Sequence, residues 1–166
     1  PSADHINVAG ALKTEAADGI EEGSVSIAGT STFTPPYSYF GNLSDANGDY
    51  KLNNAVPLDA TFTIAPEKDD NPLNGVTTYD LVLISKHILG IEPLNSPYKM
   101  IAADANKSGS ITTFDIVEIR KLILGLYTDL PNNTSWRFVD KSFSFPNANN
   151  PFQTAFPETI SVADAM

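Results

Sequence analysis

The chain repeats part of itself. Asp69 to Asp80 and Asp104 to Asp115 both begin and end on aspartate, and both ends are displaced by 35 residues (Asp69 to Asp104, Asp80 to Asp115). The likeness continues past the second aspartate. Asp80-Leu-Val-Leu-Ile-Ser-Lys-His-Ile-Leu-Gly90 lies over Asp115-Ile-Val-Glu-Ile-Arg-Lys-Leu-Ile-Leu-Gly125. Within each copy an apolar stripe recurs at helical spacing, Leu81, Ile84 and Ile88 in the first and Ile116, Ile119 and Ile123 in the second. Each helix is expected to open at its aspartate, where the helix dipole favours negative charge, and to stop at a glycine in the left-handed conformation. A unit this small cannot bury its own stripe, so the duplication predicts two helices packed on each other.

The segment before each helix carries oxygen donors at set intervals. In Asp104-Ala-Asn-Lys-Ser-Gly-Ser-Ile-Thr-Thr-Phe-Asp115 they fall at positions 1, 3, 5, 9 and 12, with Gly109 at the sharp turn. A loop wrapped round a hard cation requires this pattern. Asp104, Asn106 and Ser108 offer side-chain oxygens, Ser110 a backbone carbonyl, Thr112 an oxygen directly or through water, and Asp115 both carboxylate oxygens. Ile111 is the apolar residue that pins the loop to its neighbour. Only two donors are charged, so the expected calcium constant is weak, about 10⁻⁵ to 10⁻⁴ M.

The first loop is less regular. Asp69, Asn71 and Asp80 hold positions 1, 3 and 12, and Thr77 position 9, but Leu73 at position 5 has no donor. Asn74 is expected to take the left-handed turn one step before Gly75, whose carbonyl stays available, and Val76 stands in for Ile111. Two readings are open. Asp70 shifts in as the replacement ligand and a second calcium ion binds, or the loop holds none and Pro72 and Leu73 pack as structure.

Residues 1–68 have a different rhythm. Short apolar stretches at Ile6 to Leu12, Ser24 to Ala28, Tyr50 to Leu52 and Ala60 to Ala65 are separated by turn chemistry, the last stopping at Pro66. No helical period intervenes, which predicts a small antiparallel β-sandwich. Ser31 to Tyr39, with two prolines, reads as a loop or an edge. Asp45, Asn47 and Asp49 invite a metal reading, but a hairpin turn explains them more simply. In the tail, 128–166, Trp136-Arg-Phe-Val echoes Tyr98-Lys-Met-Ile, suggesting a strand after each helix. Phe143, Phe145, Phe152 and Phe156 are too apolar for a free linker and are expected to cover one of the domains. The chain starts at Pro1 and stops at Met166 without a closing signal, which reads as a piece of a longer protein with its last element cut short. The fold class is thus α+β in two parts, with the sandwich at 1–68, the loop–helix pair at 69–127 and the loop-rich tail at 128–166.

Composition narrows the function. Twenty acidic against ten basic residues give a net charge of −10, which argues against nucleic acid or an anionic membrane as partner and suits a chain that collects cations. No apolar run is long enough for a bilayer. There is no cysteine, so no thiolate metal site or disulfide exists. His5 and His87 are the two histidines, and neither a nucleophile elbow nor a phosphate-binding glycine loop accompanies them. His87 matches Leu122 of the second copy and reads as a packing residue. No enzyme is expected.

Two loop–helix units closed by Asp at position 12, with no helix entering the loop, resemble dockerin modules. The resemblance covers about 69–127. It implies a duplicated F-hand of two antiparallel helices on a secreted bacterial protein, with calcium as cofactor and a cohesin on a scaffold or cell surface as partner. It places partner recognition at loop positions 10 and 11 and at basic residues midway along each helix. Here those are Thr78, Tyr79 and Lys86, then Thr113, Phe114, Arg120 and Lys121, with Tyr79 and Phe114 replacing the small hydroxyl residue often found at position 11. The first third resembles carboxypeptidase-regulatory-like and transthyretin-like modules through Gly10, Val25 to Ile27, Asp45 to Tyr50 and Pro66 to Lys68. The tandem is similar to one found near the carboxyl end of Bacteroidetes-type surface proteins. Two other readings stand beside docking: a calcium-stiffened structural connector, and a carbohydrate-binding sandwich suggested by Phe33, Tyr37, Tyr39 and Phe40.

Overall fold

Alternation of apolar and polar residues builds the first compact unit. The structure is a computed structural model that describes residues 5–31, 36–41, 43–58 and 60–163. Strands β1 (His5–Ala11) and β4 (Asp49–Pro57) pair antiparallel as one sheet. A second antiparallel sheet has the order β3-β2-β5-β6, formed by β3 (Tyr37–Phe40), β2 (Ser24–Thr30), β5 (Thr61–Glu67) and β6 (Ile160–Val162). Period-two patterning puts Val25 and Ile27 of β2, and Phe62 and Ile64 of β5, into the interior. Leu52 of β4 is fully buried, lying where a side chain on Gly41 would be. The strand expected to stop at Pro66 runs on to Glu67, with Pro66 facing Val25. Proline gives up only its own N–H, and strand β6 does not extend far enough to need it.

Irregularities in this unit are satisfied locally. The β1–β4 register shifts between Ile6 and Val8, and the Asn7 side chain accepts the Asn54 N–H at 2.8 Å, with Asn54 at φ +49°. Ser44 is buried but donates to the Ile20 carbonyl at 2.6 Å and accepts from the Gly23 amide at 2.9 Å. Asp45 Oδ1 accepts the amides of Asn47 and Asp49 at 2.8 and 3.0 Å, which makes this stretch a turn built by its own aspartate. Gly48 sits in it at φ +78°, where any side chain would run into the Leu12 carbonyl. Tyr39 and Phe40 lie exposed on the edge strand β3, and Phe33 lies outside the described residues.

The second unit begins at Asp69. Helices α1 (Thr78–Ile88) and α3 (Thr113–Ile123) start two residues before the aspartate expected to open them. The reason is a capping box. Thr77 and Thr112 are the N-caps, each accepting a helix amide, while Asp80 and Asp115 reach back to the cap amide. At the other end Gly90 (φ +66°) and Gly125 (φ +70°) close both helices with paired bonds: Gly90 N–H to His87, Ile91 N–H to Lys86, Gly125 N–H to Leu122, Leu126 N–H to Lys121. The two helices pack through Leu81, Ile84 and Ile119, with Ala103 and Ala105. Val76, Ile88, Ile111, Ile116 and Ile123 close the cluster.

Between the repeats lies a third helix, α2 (Pro97–Ala103), where the sequence echo suggested a strand. Ser96 caps it through the Tyr98 and Lys99 amides and Pro97 occupies its first turn, signals that outweigh a short apolar run. The matching Trp136-Arg-Phe-Val stretch is not a strand either. The tail contributes to both units: Phe138–Asp140 and the segment from Pro157 belong to the first, Lys141–Phe156 to the second. In the second unit Phe145 stacks edge-on against Tyr98 (5.6 Å between centroids) and Phe143 (5.1 Å), and the Arg137 guanidinium lies 4.9 Å from the Phe156 ring centre. Among the described residues no helix is long and apolar enough to cross a membrane.

Candidate metal loops and docking face

The second loop gathers most of its donors around two carboxylates. Asp104 and Asp115 are fully buried, each at 0% exposure, although burying a carboxylate costs free energy unless something replaces its water. Donors from the loop do so in part. Asp104 Oδ1 accepts the Ser108 amide (2.9 Å) and Oδ2 the Gly109 amide (2.8 Å). Asp115 Oδ1 accepts the Asn106 amide (3.2 Å), and Oδ2 the Thr112 amide and hydroxyl (2.7 and 3.2 Å). These donors are amides and a hydroxyl, which bring no positive charge to the two carboxyl groups. Lys107 (φ +56°) and Gly109 (φ +77°) supply the left-handed turns that fold the chain round them.

A hard dication fits this donor set. Asn106 and Ser108 bring neutral oxygens beside the carboxylates, Ser108 Oγ lying 3.4 Å from Asp104 Oδ1 and donating to the Ser110 carbonyl at 3.2 Å. The Thr112 hydroxyl is committed to the cap, accepting the Phe114 amide at 3.2 Å and donating to Asp115. That leaves position 9 to a carbonyl or a water. Calcium, when bound, supplies the positive charge that two buried carboxylates otherwise lack. No group of three or more His, Cys, Asp or Glu occurs among the described residues. The pattern of each loop instead combines two carboxylates, at positions 1 and 12, with neutral oxygens between them.

The first loop keeps the closing half and changes the opening half. Asp80 Oδ2 accepts the Thr77 amide (2.7 Å) and hydroxyl (3.1 Å), as Asp115 does with Thr112. The left-handed residues are Asn71 (φ +47°) and Gly75 (φ +77°), not Asn74 as the sequence suggested. Pro72 forces the turn one residue early, and two short turns follow, Asn74 N–H to the Asn71 carbonyl and Val76 N–H to the Leu73 carbonyl. Asp69 and Asp70 are exposed where their counterparts at the second loop are buried, and Asp70 does not gather with Asp69 and Asp80. Leu73 is exposed rather than packed as structure, so a supporting role for that side chain falls away.

Residues expected to meet a partner stand on the surface in matching pairs. Tyr79 and Phe114 are 63% and 71% exposed, and Val82 with Val117 continues each patch one turn along its helix. Thr78 and Thr113 begin the two helices beside them, exposed, and Arg120 is exposed too. The basic residues differ between copies. Lys86 pairs with Glu92 at 2.8 Å, whereas Lys121 donates to the Tyr127 hydroxyl at 3.0 Å, lies 4.8 Å from that ring's centre and approaches Glu118 at 3.4 Å. The hydrogen bond and charge of Glu92 raise the Lys86 pKa, and Lys86 in turn lowers that of Glu92. Lys121 is raised chiefly by its bond to Tyr127. The Glu92 contribution is therefore present above the ordinary carboxylate range and lost as pH falls through its lowered value. The Lys86 contribution is lost only as pH rises through its raised value. Glu92→Gln is expected to return the Lys86 pKa toward that of a free lysine and leave Lys121 unmoved, read by an NMR titration of the lysine ammonium groups. A Lys86 titration unchanged in the variant would remove Glu92 as the cause.

His87 holds the loop between the repeats. Its Nδ1 accepts the Leu94 amide at 3.0 Å, a bond that occupies one ring nitrogen and gives the side chain a structural role. Sequence reasoning had no signal for the tail residues that reach the loops. Asn133 Nδ2 donates to the Asp104 carbonyl at 3.0 Å, and the Ser135 amide donates to Asp69 Oδ1 at 2.7 Å, across 66 residues of chain.

Two related loops, each followed by a capped helix and packed through one shared core, define the class: a duplicated loop–helix pair. Within it, residues 69–124 match the family model of the dockerin type I domain and form a dockerin-like module; domains of that family are non-catalytic calcium-binding units that dock to another protein. No curated protein and no solved structure matches the chain.

Proposed function

We propose that residues 69–127 are the calcium-dependent docking module of an extracellular or cell-surface bacterial protein, and that a cohesin-type domain is its partner. The chain as a whole is non-catalytic in this reading. The observation that carries it is the pair of fully buried carboxylates, Asp104 and Asp115, inside a loop of the segment that matches the dockerin family. Asp104, Asn106, Ser108, the Ser110 carbonyl and Asp115 hold one ion, with position 9 filled by a Thr112 oxygen or a water. Asp69, Asn71, the Gly75 carbonyl, Thr77 and Asp80 hold a second, more weakly. Ordering both loops fixes the helix starts, and the helix starts carry Thr78, Tyr79, Thr113 and Phe114. Calcium thereby sets the docking face.

The two faces are unequal. On the first, Glu92 neutralises Lys86. On the second, Lys121 is shared between Tyr127 and Glu118, and the exposed Arg120 is the further basic residue, which the first copy replaces with Ser85. An acidic partner surface is expected to prefer the second. Residues 1–68 serve in this reading as a carboxypeptidase-regulatory-like β-sandwich that carries the module, as in Bacteroidetes-type surface proteins.

The test is capture of the full chain on a panel of purified cohesin domains, in calcium and in EDTA. Capture in calcium that EDTA abolishes is the expected result. Uptake of calcium in calorimetry without capture in either condition would remove docking and leave a calcium-stiffened connector.

A further inference from the structure

The two loops hold their first aspartate differently. In the second, Asp104 is held from within: the amides of Ser108 and Gly109, at positions 5 and 6, grip its two oxygens. In the first, the residues at those positions are Leu73 and Asn74, and the Asn74 amide is spent on the Asn71 carbonyl. The amide that reaches Asp69 Oδ1 comes instead from Ser135, and the Ser135 hydroxyl donates to the Asp70 carbonyl at 3.0 Å. A serine amide thus meets the position-1 carboxylate in both loops, from inside the loop in one and from the tail in the other.

Two residues upstream, the same piece of tail meets the other loop. Asn133 donates through Nδ2 to the Asp104 carbonyl, while its Oδ1 accepts the Thr134 amide at 3.0 Å, so both ends of the side chain are engaged. The Thr134 hydroxyl donates to the Trp136 carbonyl at 2.6 Å, stiffening the segment. Asn133 to Ser135 therefore tie together the first residues of both loops.

We propose that Ser135 is the missing position-5 residue of the first loop, supplied from outside it, and that the tail segment Asn133–Ser135 is part of the metal-binding module. The proposal rests on the reading of the first loop as a calcium loop. It extends the working unit beyond the stretch that matches the dockerin family. Partners that fix a ligand's orientation commonly change metal affinity about 10- to 100-fold when removed, and Ser135 is a positioning residue of this kind for Asp69.

The test uses the full chain, with calcium alone as probe. Asp115→Ala silences the second loop, so the remaining heat in calorimetry reports the first. In that background Ser135→Pro, which deletes the amide donor, is expected to weaken calcium binding about 10- to 100-fold. Ser135→Ala, which keeps the amide, is expected to weaken it much less. Ser135→Pro alone should retain the tighter step at the second loop, which reports that the module is folded. A calcium-free measurement stands beside these. The Ser135 amide should exchange slowly with solvent in the wild type and lose that protection in Asp69→Ala. An unchanged constant in Ser135→Pro, or an unprotected Ser135 amide, overturns the proposal while leaving the calcium reading intact. Absence of any calcium uptake in Asp115→Ala overturns the reading of the first loop as a metal loop, and with it the role given to Ser135.

Discussion

Asp115→Ala is expected to abolish calcium binding at the second loop and with it most of the calcium-dependent stability of the module. Three bonds end on this side chain, from the Asn106 amide and from the Thr112 amide and hydroxyl, so one substitution removes both a charged ligand and half of a capping box. With calcium about a hundredfold above the site's constant, the lost binding corresponds to roughly 2.7 kcal/mol. The lost cap adds about 1 kcal/mol. In EDTA the first contribution disappears for wild type and variant alike. What remains in EDTA is the lost cap. The deficit should therefore be large in calcium and about 1 kcal/mol in EDTA, measured by chemical denaturation in each. If calcium raises the stability of the variant as much as that of the wild type, Asp115 is not a ligand.

Much of the second unit could be read from sequence because its determinants are local. The stripes Leu81, Ile84, Ile88 and Ile116, Ile119, Ile123 form the shared core, and Gly90 and Gly125 close the helices in the left-handed conformation. Each of these depends on residues within one turn of the next. The helix starts were placed two residues late because the aspartate was read as the residue that opens each helix on its dipole. It is instead the third helical residue, whose side chain reaches back to the threonine cap. The Asp45 turn was legible for the same local reason, since one side chain makes it.

What escaped the sequence reading is mostly non-local or decided by competing signals. Tyr98-Lys-Met-Ile has an apolar rhythm that suits a strand, yet Ser96-Pro97 just before it is a helix start, and the cap prevails. Asn74-Gly75 offered two candidates for one left-handed turn. Glycine took it because it meets no Cβ clash at φ +77°. Asn133 and Ser135 carry no local signature at all. Their bonds close across 29 and 66 residues, and nothing in Asn-Thr-Ser announces which loops they reach. The dockerin likeness ends at residue 124, short of the tail that reaches both loops.

Ile84→Ala is expected to be the most damaging single truncation of the α1–α3 core, and calcium should partly reverse it. Ile84 is 4% exposed on α1 and belongs to the cluster with Leu81, Ala103, Ala105 and Ile119. Removing a buried isoleucine to alanine costs about 2–5 kcal/mol, the larger values where the cavity cannot collapse. Here collapse is limited. Both helices are fixed at each end, by capping boxes at Thr77 and Thr112 and by the glycine closures at Gly90 and Gly125, so neither can slide far into the space. The same core supports the loops, because Val76 and Ile111 of the two loops pack against it. Folding and ion binding are therefore linked, and a module that is partly unfolded without calcium regains stability as calcium rises. The expected result is a calcium-dependent midpoint in the variant, shifted to higher calcium than in wild type, followed by far-UV circular dichroism. The unfolding of the first unit, followed by strand amides around Ile27, should not move. A loss that calcium does not reverse at any concentration would break the link between this core and the loops.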